Sequence, residues 1–425
     1  MFTFDEQIFQ GSLPIKYVYE KGDLNQDHLI VVFSGFNVPK NKAKEEIKHT
    51  YNYIRTLRNL DCHKLFILDD YGPRGSYYLG NKEENGVEES IEMLIATISK
   101  KNGITKKNII TAGSSKGGSA ALYYGLKYGF GKIVIGAPQT KISDYVESFA
   151  TETFHYMLGE TPSTEERENL NSIISKQVRP NVPSEIRLLT SENDIQYKKH
   201  IIPFVGLLEE NDVHYHVEVN NDIQSHGEIA EHFPKYLTLN MLDIMHDVKI
   251  EDISVAQVSV SKWNIKVDSN IKRLMNFEQK LIVKANDKPV YNQGFHGECE
   301  IDLSEIGFKD TAVLEVAYTL TINGKTIVTL PIKKQFVSDG FMLMGTDFEI
   351  IDGSIHFEIL IEDSPQLEYA FYIRRNNNVI EKIMYQKSRK IVYPLETTGN
   401  YQVHYFIRPK KGEKYSDRSK IIKHN

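Results

Sequence analysis

Between residues 28 and about 240, short unbroken apolar runs alternate with segments whose apolar residues recur every three or four positions. The runs are "HLIVVFSGF" (28–36), "KLFILDD" (64–70), "NIITA" (108–112), "KIVIGAP" (132–138), "EIRLLTS" (185–191) and "HYHVEVN" (214–220). A continuous apolar run is what a strand carries when both faces of its sheet are covered. Between them the spacing is helical. Ile47, Tyr51, Ile54 and Leu57 share a face in "NKAKEEIKHTYNYIRTLRNL", as do Val87, Ile91, Leu94, Ile95 and Ile98 in "GVEESIEMLIATISKKNG". A last helix carries Ile229, Phe233, Leu237 and Met241. This rhythm predicts an α/β domain over 1–245, a mostly parallel sheet with helices on both faces.

The polar segment 139–184 interrupts the rhythm. It reads either as an insertion over a site or as a surface excursion. After residue 246 the helical period gives way to alternation of period two. Trp263, Ile265 and Val267 alternate, as do Ala312, Leu314, Val316, Tyr318 and Leu320, and "TINGKTIV" holds the hairpin signal Asn323-Gly324. A second block alternates at Leu367, Tyr369, Phe371 and Ile373, then at Tyr401, Val403, Tyr405 and Ile407. The expectation is two small all-β sandwich domains, 246–337 and 338–425.

Composition narrows the function. A net charge of -6 over 425 residues argues against nucleic-acid binding, which wants a basic face. The two cysteines, Cys62 and Cys299, supply neither a disulfide framework nor a CxxC metal pair. No metal is expected: His214 and His216 share a strand face, but no third ligand is evident. The start, "MFTFDEQIFQGSLPIKY", does not read as a signal peptide, and no run has the ~20 apolar residues of a membrane helix. A cytoplasmic protein without a transmembrane segment is expected.

The chemistry centres on Gly113-Ser114-Ser115-Lys116-Gly117, a G-x-S-x-G pattern. Composition alone produces this pattern in roughly a tenth of chains this long, so the context carries the argument. A strand leads in and a helix leads out, with Ala121, Leu122, Tyr124 and Leu126 for packing. That is the setting in which a serine nucleophile sits on a sharp turn and its glycines let strand and helix approach. The alternatives are a phosphate-binding turn and a purely structural one; neither G-x-x-x-x-G-K-[ST] nor GxGxxG is present here.

A serine nucleophile needs a base, and the base an acid, in the chain order Ser, Asp or Glu, His. Just past a strand, "ENDIQY" offers Asp194, the expected acid, and Glu192, its alternative. "NDIQSHGEIAEHF" offers His226 as the base. The oxyanion would be met by the Lys116 N–H and by the Phe36 N–H, with Gly35 letting "FSGF" turn. In "LDDYGPRGSYYLG", Asp69, Tyr71, Arg74, Tyr77 and Tyr78 are more functionality than a connector needs. Arg74 could hold an anionic or sugar substrate and the tyrosines could stack on a pyranose; the alternative is a solvated loop with its aromatics packed locally.

At these residues a resemblance becomes specific. "FSGF", "TAGSSKGGSAALYYGLKYGF", "SEND" and "SHGEI" resemble the accessory Sec secretion proteins of Gram-positive bacteria with an α/β-hydrolase domain, and related capsule and surface-glycan biosynthesis proteins. The likeness covers residues 25–240, and "AGSSKGG" is its most specific part. It implies an α/β-hydrolase fold and a Ser-His-acid site that places acetyl groups on a bacterial glycan or glycoprotein, or removes them. An acyl donor such as acetyl-CoA would be a co-substrate, with no bound cofactor. The accessory secretion member uses a glutamate as its acid, which keeps Glu192 in play. Partners would be the acceptor and other biosynthesis or secretion components, with peripheral association to a membrane complex. The tyrosine-rich C-terminus resembles small Ig-like "three-Y" modules. The alternative function is a non-catalytic carbohydrate-binding or assembly component that keeps the fold.

Overall fold

The computed structural model describes residues 5–23, 25–36, 49–257, 262–271, 277–285, 288–302, 312–338, 341–361, 366–410 and 414–424. The chain divides into two compact units, 1–248 and 249–425.

The first unit is built on one eight-stranded sheet. Its strands are β1 (Glu6–Gln10), β2 (Pro14–Glu20), β3 (Leu29–Phe33), β4 (His63–Ile67), β5 (Ile109–Ser114), β6 (Lys132–Gly136), β7 (Glu185–Thr190) and β8 (Tyr215–Val219), in the spatial order β1-β2-β4-β3-β5-β6-β7-β8. From β4 through β8 the neighbours run parallel, while β1 and β2 form an antiparallel hairpin that pairs with β4. The helices are α1 (Val87–Lys101), α2 (Lys116–Tyr128), α3 (Ile142–Phe149), α4 (Thr151–Leu158), α5 (Thr164–Asn171), α6 (Ile202–Glu210) and α7 (Ile229–His246).

The unbroken apolar runs have the expected cause. Along β3, Leu29, Val31 and Phe33 enter a core shared with α1 and α2, while Ile30 and Val32 enter the opposite core, shared with Phe233, Leu237 and Met241 of α7. Truncating a fully buried ring such as Phe233 would cost roughly 3–5 kcal/mol. The order of β4, β3 and β5 reverses direction at β3/β5, and open α/β sheets place their sites beyond the carboxyl ends of strands at such a point. Ser115 follows β5 there, and Gly35 and Phe36 follow β3.

One expectation needs correction. The helix read over 41–60 lies partly outside the described residues, Ile47 among them. From His49 onward the chain makes turns instead. Tyr53 adopts φ 63°, a left-handed value that no α-helix interior accommodates, although Ile54 and Leu57 are buried as their spacing implied. The hairpin β1–β2 was not anticipated. Segment 139–184 carries α3, α4 and α5, the last opened by a capping box in which the Ser163 hydroxyl accepts from the Glu166 N–H.

The second unit is all-β among its described residues, with sheets of three, seven and five strands. Asn323 (φ 50°) and Gly324 (φ 77°) form the two-residue hairpin turn between Ile322 and Lys325 that the Asn-Gly pair predicts. The alternating residues bury as read where described, from Trp263, Ile265 and Val267, through Leu314, Val316, Tyr318 and Leu320, to Tyr401, Val403, Tyr405 and Ile407; Ala312 lies outside the residues whose burial is described.

Candidate active site

Ser115 sits at φ 53°, ψ -124°, a strained conformation for a non-glycine residue, between the end of β5 and the start of α2. Its N–H donates to the Gly136 carbonyl at 2.8 Å. The glycines on either side answer to close approach. A Cβ on Gly113 would lie 2.5 Å from the Gly117 backbone, and one on Gly117 would lie 2.2 Å from the Phe33 carbonyl oxygen. Neither position can carry a side chain without separating β3, β5 and α2.

Two later loops bring partners to this hydroxyl. His226 opens a short 3-10 turn ahead of α7, and its Nε2 lies 2.9 Å from Ser115 Oγ. The turn is held by Glu228, whose carboxylate accepts from the Gln224 N–H at 2.9 Å and from the Ser225 hydroxyl. Asp194 follows β7, and its Oδ2 lies 2.8 Å from His226 Nδ1. Its Oδ1 accepts the Gln196 N–H at 2.8 Å. The Asp194 side chain is fully buried, whereas the imidazole is 21% exposed, open enough for a substrate to reach it. An ionised carboxylate only accepts, so His226 Nδ1 carries the proton and Nε2 is left to accept from the serine hydroxyl. Glu192 is exposed, and its backbone N–H meets the Asn221 side chain.

Of the groups expected at an oxyanion, Lys116 begins α2 directly after Ser115, and Phe36 lies just beyond β3. The Gly35 N–H is already committed to Asn52 Oδ1 at 3.0 Å. No close neighbour forbids a side chain at Gly35, the nearest atom to an added Cβ being the Ser114 carbonyl oxygen at 3.5 Å.

In loop 69–78 the aromatics follow the local-packing alternative. Asp69 is buried and engaged by the protein itself: Lys116 Nζ donates to its Oδ2 at 2.6 Å, the Ser76 N–H at 2.9 Å and the Tyr78 N–H at 3.2 Å. The Lys116 ammonium is equally buried and lies over the Tyr78 ring at 5.0 Å; burial pulls its pKa down, and Asp69 opposes that pull. Asp69 therefore ties the elbow to this loop instead of meeting a substrate. Tyr77 and Tyr78 are fully buried, at φ 56° and 62°, and present no face to a sugar. Burial pushes both phenols well up. Tyr71 is half-buried and donates to the Pro14 carbonyl oxygen. Arg74 does keep unspent capacity. Its guanidinium lies over the Phe36 ring at 5.0 Å, and its Nε is buried without a hydrogen-bond partner among the described residues.

One contact to the serine was missed. Gln139, three residues past β6 and fully buried, donates from Nε2 to Ser115 Oγ at 2.7 Å. Its backbone N–H and carbonyl both bond the Ser119 hydroxyl, at 2.8 and 2.9 Å, and its Oε1 accepts from the Tyr77 hydroxyl at 3.3 Å. Its only sequence signal is a polar residue at the carboxyl end of a buried strand. His214, just before β8, and His216, on it, are exposed, and among the described residues no cluster of three metal-ligating side chains gathers.

The switch point in strand order, the parallel sheet and the elbow define the first unit as an α/β-hydrolase-like domain. Among solved structures the chain is similar to the capsule O-acetyltransferase of Neisseria meningitidis serogroup A, at 25% identity over 53% of this chain and 92% of that one, TM-score 0.45. A variant of that enzyme in complex with CoA matches at 23% identity, 55% and 93% coverage, TM-score 0.45. It is also similar to the Glycosylation Associate Protein (Gap123) complex from Streptococcus agalactiae, at 19% identity over 56% of this chain and 46% of that one, TM-score 0.46. A third likeness is to FphF, a fluorophosphonate-binding serine hydrolase of Staphylococcus aureus, at 12% identity, 56% and 97% coverage, TM-score 0.43. No family model matches the chain, and no curated protein matches it.

Proposed function

We propose that this chain carries out serine-dependent acyl-ester chemistry, with Ser115 as nucleophile, His226 as general base and Asp194 as the acid that orients it. The observation that carries the reading is the relay Asp194 Oδ2 to His226 Nδ1 and His226 Nε2 to Ser115 Oγ, at 2.8 and 2.9 Å, ending on a strained elbow. Its lengths are those of hydrogen bonds already made, so little reorganisation precedes proton transfer.

In the first half-reaction Ser115 Oγ attacks the ester carbonyl and its proton passes to His226 Nε2. The buried Asp194 carboxylate stabilises the imidazolium. Negative charge moves to the former carbonyl oxygen, which the Lys116 and Phe36 N–H groups would meet. Collapse expels the leaving group, protonated by His226, and leaves an acyl-Ser115. In the second half, His226 takes a proton from the acceptor hydroxyl, which attacks the acyl carbon and frees Ser115.

The acyl group we assign is acetyl, and the acceptor a bacterial surface glycan or glycoprotein. This rests on the sequence resemblance over 25–240. Arg74, with its unpartnered Nε beside Phe36, is the side chain best placed to add polar recognition. Acetyl-CoA fits as a donor co-substrate. Transfer needs an acceptor held tightly enough to compete with ~55 M water; without one, the same acyl-enzyme hydrolyses. The setting we propose is cytoplasmic, beside other glycan-biosynthesis or secretion components; no described helix is long and apolar enough to cross a membrane.

The test is a fluorophosphonate probe on wild type and Ser115→Ala, followed by an acetyl donor with candidate glycans. Labelling on Ser115 and acetylated sugar are expected. A folded wild type that never labels would be a binding or assembly component, and glycans that only lose acetyl groups would make it a deacetylase.

A further inference from the structure

Strained non-glycine residues lie along the chain of contacts from Tyr77 through Gln139 to Ser115. Beside Ser115 itself, Ala137 takes φ 37° just past β6, and Tyr77 takes φ 56° in the loop after β4. Such conformations persist only where surrounding structure over-determines them, and they gather where a side chain has to be aimed. Ala137 is held by its N–H to the Leu189 carbonyl oxygen at 2.9 Å. What it aims is Gln139, two residues on. The Gln139 amide is fixed from both sides: Ser119 grips its backbone, and Tyr77 donates to Oε1, which leaves Nε2 to face Ser115 Oγ.

A serine hydroxyl has one proton to give and two lone pairs to accept with. With Gln139 Nε2–H on one lone pair at 2.7 Å and His226 Nε2 at 2.9 Å, the proton has one productive direction, toward the imidazole. We propose that Gln139 is a catalytic residue, whose amide N–H stabilises the charge that builds on Ser115 Oγ as its proton leaves. This inference rests on Ser115 being the nucleophile.

The benefit is specific to the transition state. During acylation the Oγ–H bond breaks and its proton goes to His226 Nε2. The Oγ–C bond forms, and the carbonyl π pair moves to the carbonyl oxygen. Between those events Oγ carries its greatest negative charge and accepts the Gln139 hydrogen bond most strongly. Once acylated it is an ester oxygen, a weak acceptor, and the bond relaxes. A donor that strengthens on the way to the transition state lowers the barrier, whereas one that merely fills space does not.

The experiment measures fluorophosphonate labelling rates, and kcat and KM on a small acetyl ester, for wild type, Gln139→Met, Tyr77→Phe and the double variant. Thermal unfolding reports the folded fraction, and Ser115→Ala is the reference. Gln139→Met removes the donor at similar volume. It is expected to lower labelling and kcat on the order of 10²-fold per folded molecule, with KM within about threefold of wild type. Tyr77→Phe frees the amide and is expected to cost less, and to add nothing to kcat once Gln139 is already Met. A folded Gln139→Met that labels within about threefold of wild type overturns the proposal while Ser115 chemistry stands. Should Gln139→Met fail to fold, Tyr77→Phe and Gln139→Asn, whose amide is one methylene short, decide it, and wild-type rates in both overturn it. If wild type itself labels nowhere on Ser115, the nucleophile assignment and this inference fall together.

Discussion

Replacing Lys116 with Met should be among the most costly single changes in the first unit, because it strands a buried carboxylate. The Lys116 and Asp69 side chains are 2% and 1% exposed, and Nζ and Oδ2 are 2.6 Å apart. At an effective dielectric near 20, two unit charges at that distance attract by roughly 6 kcal/mol, most of which offsets the cost of taking both from water. Among the described residues, removing the ammonium leaves Asp69 with the N–H groups of Ser76 and Tyr78 and the more distant Ser76 hydroxyl. The expected loss is about 3–5 kcal/mol. For a unit of this size that corresponds to a melting point lower by roughly 6–20 °C. Asp69→Asn alone should cost a similar amount, since it strands the ammonium. The double variant Asp69→Asn/Lys116→Met strands neither charge and should recover most of the loss. Thermal or urea unfolding of all four proteins gives the coupling energy directly. Strictly additive losses, or a Lys116→Met variant within about 0.5 kcal/mol of wild type, would refute the reasoning.

Two further predictions follow from distances and burial. Asp194→Asn should lower kcat by about 10⁴-fold by losing the carboxylate that sets the His226 tautomer, whereas Glu192→Gln should leave it within about twofold, as ester kinetics would show. The reverse order would move the acid to Glu192. Stability should also fall in acid through His200, which is 4% exposed and whose Nδ1 accepts the Lys141 N–H at 3.2 Å. Burial pushes this imidazole down to about 4, against the opposing pull of Asp144. The unfolded chain then binds the extra proton first, so unfolding free energy drops as pH falls from about 6.5 toward 4, by about 3 kcal/mol in all. Urea titrations across that range should show the slope, and His200→Gln should flatten it.

Much of this was legible because its causes are local. A strand buried on both faces must be apolar throughout, so β3 to β7 announced themselves, and the elbow's glycines were readable from one short segment. Chain order and strand ends constrain where an acid and a base can stand, and Asp194 and His226 are placed beside Ser115 in that order. The failures have a common origin in long-range pairing. Asp69 looked like a substrate ligand because its partner, Lys116, stands 47 positions later. For Tyr77 and Tyr78 the sequence left stacking and local packing open, because loop tyrosines carry no sign of burial, and the structure buries both. Gln139 was invisible, since nothing local distinguishes an amide aimed at a nucleophile from one in solvent. Segment 49–60 carried helical spacing that buried Ile54 and Leu57, yet the left-handed Tyr53 broke the helix and sent its hydroxyl to the Ser114 side chain.

The claim at the centre is that Ser115 Oγ becomes covalently acylated, and the direct measurement is mass spectrometry of the protein quenched in acid during turnover of an activated acetyl ester. One acetyl group is expected on the peptide containing Ser115, lost when a competent acceptor is added and never formed in Ser115→Ala. An unmodified Ser115 peptide from protein that is turning over the ester, or acetyl carried equally by Ser115→Ala, would contradict it.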